Sequence, residues 1–239
     1  MSWNQLGLLL ICCSLCIPAY SSHFVGGEIS YTTTGNGVYN VTLTMYKDCG
    51  SGTAGYPNSI SLSMIDPISG NTLSSVTLSP GSEISIPNSF NAACVSNVPS
   101  FCVSKKIYTG TLTYTGTVSN GFIFTYSSCC RNSSISNITS PGGTSITYRP
   151  CTSPAAAGIS NSTPVFNIPP TIVASNIQTN TSFSATDSDG DSLYYELTDA
   201  LNTNLTTSVN YTTGFSGSNP LPSTPAASLT ARLAYLLRM

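Results

Sequence analysis

Charge is scarce in this sequence: only 7% of its residues are Asp, Glu, Lys or Arg, against roughly 25% in an ordinary soluble domain. The basic residues up to Gly214 are Lys47, Lys105, Lys106, Arg131 and Arg149 alone, outnumbered by the acids. No basic stripe exists to meet phosphates, which excludes nucleic acid as a partner. Histidine is almost missing too. The single one, His23, falls at the amino terminus of the expected mature chain, a poor place for a general base or a metal ligand. No G-x-S-x-G elbow, H-E-x-x-H or phosphate loop occurs. Glu28, Asp48, Asp66 and Glu83 could supply the two facing carboxylates of a glycosidase, but nothing in their spacing marks a pair. The expectation is a protein that is not an enzyme.

Helical periodicity is also lacking; short alternating segments separated by turn residues take its place. Ser, Thr, Asn and Gly fill the places that charge leaves. Hydroxyl and amide side chains compete with helical backbone bonds, and β-branched residues suit a pleated surface. Low hydrophobicity with high net charge would signal disorder, and neither holds at 40% hydrophobic residues and a net charge of −2.

Leu6 to Ile17 is an apolar run too short to span a bilayer comfortably. Ala19 and Ser21 follow at the spacing of a signal-peptidase site, so residues 1–22 read as a cleaved secretory signal. Three of the nine cysteines, Cys12, Cys13 and Cys16, leave with it. The remaining Cys49, Cys94, Cys102, Cys129, Cys130 and Cys151 are disulfide candidates in an exported chain. Cys94 and Cys102 are near enough for a local bridge. Cys129 and Cys130, as neighbours in a strand, should point to opposite faces and find different partners.

Strands are expected at Gly26–Thr34, Tyr39–Met45, Ser59–Ile65, Thr72–Leu78, Glu83–Ile86, Ile107–Val118, Gly121–Ser128 and Thr144–Arg149. Gly35-Asn36-Gly37 should turn the first two into a hairpin, and Asn120-Gly121 should turn another. So many short antiparallel strands predict an all-β fold: an antiparallel Ig-like β-sandwich over residues 23–150, with a barrel as the second choice. Residues 151–163 read as a linker. Residues 164–225, running from Pro164-Val165-Phe166 through Thr171–Val173 and Ser182–Ala185 to a strand at Leu193–Leu197, read as the start of a second Ig/cadherin-like β domain, too short to be whole. The Ala/Leu/Arg-rich tail 226–239 departs from all that precedes it and suggests a truncated or frameshifted end.

Asp187, Asp189 and Asp191 lie at alternate positions around Gly190. Three carboxylates so placed can converge on one hard cation, which makes Ca2+ the candidate cofactor; an Asp/Gly-rich turn without metal is the alternative. The EF-hand pattern fails at Ser192 and Thr198, so other oxygens, Glu196 among them, would have to complete the shell. Arg131 is expected to pair with a nearby acid or carbonyl. Tyr114 and Tyr126 are expected to pack within sheets. The seven Asn-x-Ser/Thr sequons carry no weight where Ser and Thr are so common.

Six stretches in order, namely His23–Tyr31, Val41–Cys49, Ile107–Thr113, Tyr126–Asn132, Pro164–Thr171 and Ser184–Leu197, resemble the amino-terminal region of large Bacteroidota surface proteins. These are the group with a gliding-motility-associated carboxy-terminal domain, exported by type IX secretion. The resemblance covers about His23 to Asp199. It implies export to the cell surface and repeated Ig-like or cadherin-like modules. The partners would be neighbouring modules of the same protein and cell-surface or matrix components. Relatives carry cysteine where this chain has Thr33, Ala174 and Thr198, so their disulfide pattern does not transfer. The expected function is a secreted structural or adhesive module. A carbohydrate-binding accessory domain of a polysaccharide-degrading enzyme is the alternative.

Overall fold

The structure is a computed structural model that describes residues 24–49, 55–87, 102–152, 160–167, 180 and 183–221. The signal peptide, His23, Cys94, Thr171–Val173 and the tail 226–239 lie outside the described residues.

The fold is all-β. Strands β1 (Phe24–Thr33), β2 (Val38–Asp48), β3 (Ile60–Ile65), β4 (Thr72–Ile86), β5 (Val103–Thr113), β6 (Phe122–Ser128), β7 (Ile146–Tyr148) and β8 (Cys151–Thr152) form one antiparallel sheet. Its order is β1-β2-β5-β4-β3-β6-β7, with β8 pairing β6 beside β7. Among the described residues no helix is long and apolar enough to cross a membrane.

Strand β2 displays the rule that builds this sheet. Tyr39, Val41, Leu43, Met45 and Lys47 are buried while Asn40, Thr42, Thr44, Tyr46 and Asp48 are not. Side chains alternate across a strand, so one face can be given to the core and the other to water. The Gly35-Asn36-Gly37 turn joins β1 to β2 with all three residues at positive φ, 84°, 55° and 71°. That is the left-handed region Gly and Asn tolerate. A Cβ on Gly37 would also run into the Tyr114 carbonyl.

Strand β4 decides the architecture. Thr72–Leu78 and Glu83–Ile86, expected as two strands, are one strand of 15 residues. Its first half pairs β3 and its second half pairs β5, with the register broken between Pro80 and Glu83. Proline gives no N–H to a ladder and is tolerated at a bulge, where the strand bends. One bent strand therefore belongs to both layers, as at the corner of an orthogonally packed sandwich. The sheet nearly closes on itself: Phe24 bridges Arg131, and the Tyr148 hydroxyl donates to the Gly26 carbonyl at 3.3 Å. The core between the layers holds Leu43, Met45, Leu62, Met64, Leu78, Tyr108 and Phe124, each at 0% exposure. Tyr31, Tyr39, Phe122 and Phe124 meet there with ring centroids 5.0–6.0 Å apart, mostly edge to face.

Three expectations are corrected. Asn120-Gly121 does make a turn, with Gly121 N donating to Val118 O at 2.9 Å. It is not a hairpin turn, because β5 pairs β2 and β4 while β6 pairs β3, β7 and β8. The chain crosses there from one layer to the other. Leu193–Leu197 is not a strand: no described segment runs beside it to supply the ladder. The pairings described within the second stretch are the two-residue ladder of β9 (Val165–Phe166) with β10 (Ala185–Thr186) and the isolated bridge of Leu201 with Ser208. Finally, Cys102 bonds Cys49 rather than Cys94, with Cα atoms 5.0 Å apart. The two flank Asp48 and Val103, the last register pair of β2 and β5, so the ladder brings them face to face.

Residues 160–163 and 199–220 fold back onto this body. Thr163 N donates to Tyr31 O at 2.9 Å, and Thr139 N donates to Asn210 O at 2.7 Å. Val209 is buried at 4% exposure.

Candidate functional site

The acidic loop is a hydrogen-bonded turn. Asp187 Oδ1 accepts from the main-chain N–H of Asp189 at 2.9 Å and of Asp191 at 3.1 Å. Gly190 takes φ 80°, which lets the chain reverse. Asp189 turns away from its neighbours, and its Oδ2 accepts from Ser162 N at 2.6 Å. Asp199, further along, accepts from Gly217 N at 2.8 Å. Among the described residues no group of three or more His, Cys, Asp or Glu side chains is gathered as metal ligands would be. As folded, the Asp187 and Asp189 carboxylates accept from main-chain N–H groups, whereas a calcium shell needs six to eight oxygens around one point.

Arg131 behaves as the sequence led one to expect. It follows the end of β6, is buried, and donates through Nε to Ser145 O at 3.0 Å and through an Nη to Leu201 O at 2.8 Å. Burial pushes its pKa below the usual guanidinium value, though arginine stays charged at any pH the fold survives. Its role is to tie the β6–β7 connection to the segment around Leu201.

The preceding cysteines correct a further expectation. Cys129 and Cys130 are bonded to each other instead of to separate partners. β6 ends at Ser128, so the strand alternation that would have set them on opposite faces does not extend to them. The side chain of Cys151 lies outside the described set.

The sequence reading missed a polar cluster at the end of the sheet where Cys49 and Cys102 sit. Lys47 is buried, 3.5 Å from Glu83 Oε1 and 4.6 Å above the Tyr56 ring. Lys106 sits 5.5 Å from the same ring. Ser104 Oγ donates to Glu83 Oε1 at 2.6 Å, and the Tyr56 hydroxyl donates to Ser104 O at 2.8 Å. The Ser104 bond, helped by Lys47 and Lys106, holds the Glu83 carboxyl below the usual carboxylate range. Desolvation pushes the Tyr56 hydroxyl up to about 12. A phenol so reluctant to ionise, with its proton committed to a carbonyl, serves as a donor and not as a base. The signal for this cluster was in β2: Lys47 continues the inward series Tyr39, Val41, Leu43, Met45, and a buried ammonium demands partners.

Asp66, Glu28 and Asp48 are each engaged elsewhere. Asp66 Oδ1 accepts from Ile68 N and Ser69 N, closing the β3–β4 turn. Glu28 Oε2 accepts from Phe166 N at 3.3 Å, and burial raises its pKa. Asp48 accepts from Asn132 Nδ2 at 3.3 Å. Glu28, Asp48, Asp66 and Glu83 are thus each engaged with a different partner. Tyr126 stacks on Tyr148 with ring planes 8° apart, and both Tyr114 and Tyr126 pack against the core. Searches of protein-family models, curated proteins and solved structures found no match to this chain.

Proposed function

We propose that this chain is a secreted, cell-surface structural or adhesive module without catalytic activity. In this reading it works beside neighbouring modules of a larger Bacteroidota surface protein, against cell-surface or matrix components. The Cys49–Cys102 bond across the β2–β5 ladder carries the reading, because such a bridge suits an oxidising, extracellular compartment. The Ser/Thr-rich outer positions and the hydrogen bonds that engage Glu28, Asp48, Asp66 and Glu83 support it further. So does the resemblance of His23–Tyr31, Tyr126–Asn132 and the other stretches to that surface-protein group. The acidic loop acts through hydrogen bonds here, and the reading does not depend on calcium.

The test is binding of the purified mature chain to whole cells and to immobilised matrix proteins, with and without competing sugars. Retention that sugars do not compete supports adhesion. Binding to defined glycans on an array, lost on replacing the exposed Tyr194, would replace this reading with the carbohydrate-binding one. Turnover of any polysaccharide would overturn both.

A further inference from the structure

Cys129 and Cys130 are neighbours in sequence and bonded to each other. They sit where the β6–β7 ladder breaks off. Ser128 lies opposite Ile146, the last register pair, and main-chain bonding resumes at Arg131 N, which donates to Thr144 O at 2.9 Å. Beside the cysteines, Ser145 sends its main-chain groups elsewhere. Its N donates to Asn202 Oδ1 at 3.0 Å, and its O accepts from Arg131 Nε at 3.0 Å. Phe24 of β1 bridges Arg131, so the bonded pair directly precedes the residue at which the sheet nearly closes.

Two properties set this bond apart from Cys49–Cys102. The first is access. Of the four bonded cysteines described, Cys129 alone is exposed, while Cys49, Cys102 and Cys130 are partly buried. The second is loop length. In the chain-entropy account a disulfide stabilises a fold by the loop it closes in the unfolded chain, and the gain grows with the logarithm of that loop. Cys49 and Cys102 are 53 residues apart, whereas Cys129 and Cys130 are separated by 1. Folding therefore shields the first bond from reduction far more than the second. An exposed bond that folding scarcely protects is the kind that exchanges with thiols.

We propose that Cys129–Cys130 is a reversible thiol–disulfide exchange site for an external dithiol, and that its opening loosens the Arg131 closure of the sheet. One thiolate of the dithiol attacks Cys129 Sγ and forms a mixed disulfide. The bond between the two protein sulfurs breaks, and its electron pair leaves on Cys130 Sγ, which takes up a proton. The second thiol of the reagent then attacks the mixed disulfide and releases Cys129 as a thiol. The reagent ends as a cyclic disulfide, and two electrons have passed to the protein. Closed, the pair forms a ring that restrains the peptide unit between its members; open, it leaves Arg131 attached to a freer chain. The inference stands apart from the adhesive reading, which makes no use of this bond.

A redox titration of the purified mature chain with reduced and oxidised dithiothreitol, followed by alkylation and peptide mapping, reads each bond separately. Cys129–Cys130 should open at a ratio of reduced to oxidised reagent on the order of a hundredfold lower than Cys49–Cys102, the difference that the two loop lengths set. At that ratio the amides of Arg131 and Ser145 should exchange on the order of tenfold faster, as loss of one hydrogen bond would allow. The core amides of Leu43 and Tyr108 should hold. Restoring the oxidised reagent should reverse both changes. A double variant, Cys129→Ser with Cys130→Ser, should show the faster exchange without any dithiol; should it fail to fold, the titration of the parent decides. Opening of both bonds at one ratio, or a peptide joining Cys129 or Cys130 to another cysteine, would overturn the exchange site. Selective opening with unchanged exchange at Arg131 and Ser145 would overturn its hold on the closure.

Discussion

Removing the Cys49–Cys102 bridge should cost this fold about as much as any single change can. The two cysteines are 53 residues apart in sequence. In the chain-entropy account the unfolded state gains freedom with the logarithm of the released loop, which for this loop gives about 4 kcal/mol at room temperature. For a body of this size each kcal/mol moves the melting temperature by about 2–4 °C, so the midpoint should fall by roughly 8–16 °C. Cys49→Ala, Cys102→Ala and the double variant should all fall by the same amount, because each breaks the one bond. A bridge from Cys102 to Cys94 would close a much shorter loop, worth about 2.5 kcal/mol by the same formula, and Cys49→Ala would then leave that loop intact. Calorimetric melts of the three variants, with non-reducing peptide mapping of the parent, separate the two pairings. A Cys94–Cys102 peptide, or a Cys49→Ala variant that melts with the parent while Cys102→Ala does not, would refute the reasoning from register.

Three further outcomes are expected. Arg131→Ala should destabilise by about 3 kcal/mol in urea unfolding, since it strips the Ser145 and Leu201 carbonyls of a charged donor, and Arg131→Lys should fall between, having no planar fork to reach both. Asp187→Ala should cost about 1 kcal/mol and Asp187→Asn less, with melts in calcium and in chelator coinciding; a calcium-dependent rise abolished by Asp191→Ala would establish a cation site instead. The two glutamates should act with opposite sign on the acid limb of stability. Glu83, whose folded pKa is lowered first by Ser104, stabilises above the ordinary carboxylate pKa and loses that contribution as pH falls through its depressed value, so Glu83→Gln should flatten the acid limb. Glu28, raised by burial, holds its proton more tightly when folded, so its contribution fades as pH rises, and Glu28→Gln should stabilise at neutral pH.

Much of the fold could be read from the chain because it depends on local periodicity. The alternation of Tyr39, Val41, Leu43 and Met45 fixed which face of β2 is buried. Gly35-Asn36-Gly37 marked the β1–β2 hairpin because only such residues accept three successive positive φ values. The same alternation, carried one step further to Lys47, would have disclosed the buried ammonium and its need for Glu83 and Tyr56. It went unread because a lysine at a strand end is ordinarily taken for a solvated one. Arg131 was legible as a pairing residue, although which carbonyls it would meet was not.

The sequence alone thus determined the fold class, the faces of the strands and the turns, all of which follow from a residue and its near neighbours. The tertiary structure decided what depends on segments distant along the chain. It made β4 one bent strand serving both layers, separated β5 from β6, and set Cys49 opposite Cys102. It also made Asp187 and Asp189 acceptors for the main-chain N–H groups of Asp189, Asp191 and Ser162. Periodicity says which side of a strand faces inward; it carries no information about which strand lies alongside, because that is settled by closing the sheet around a shared core.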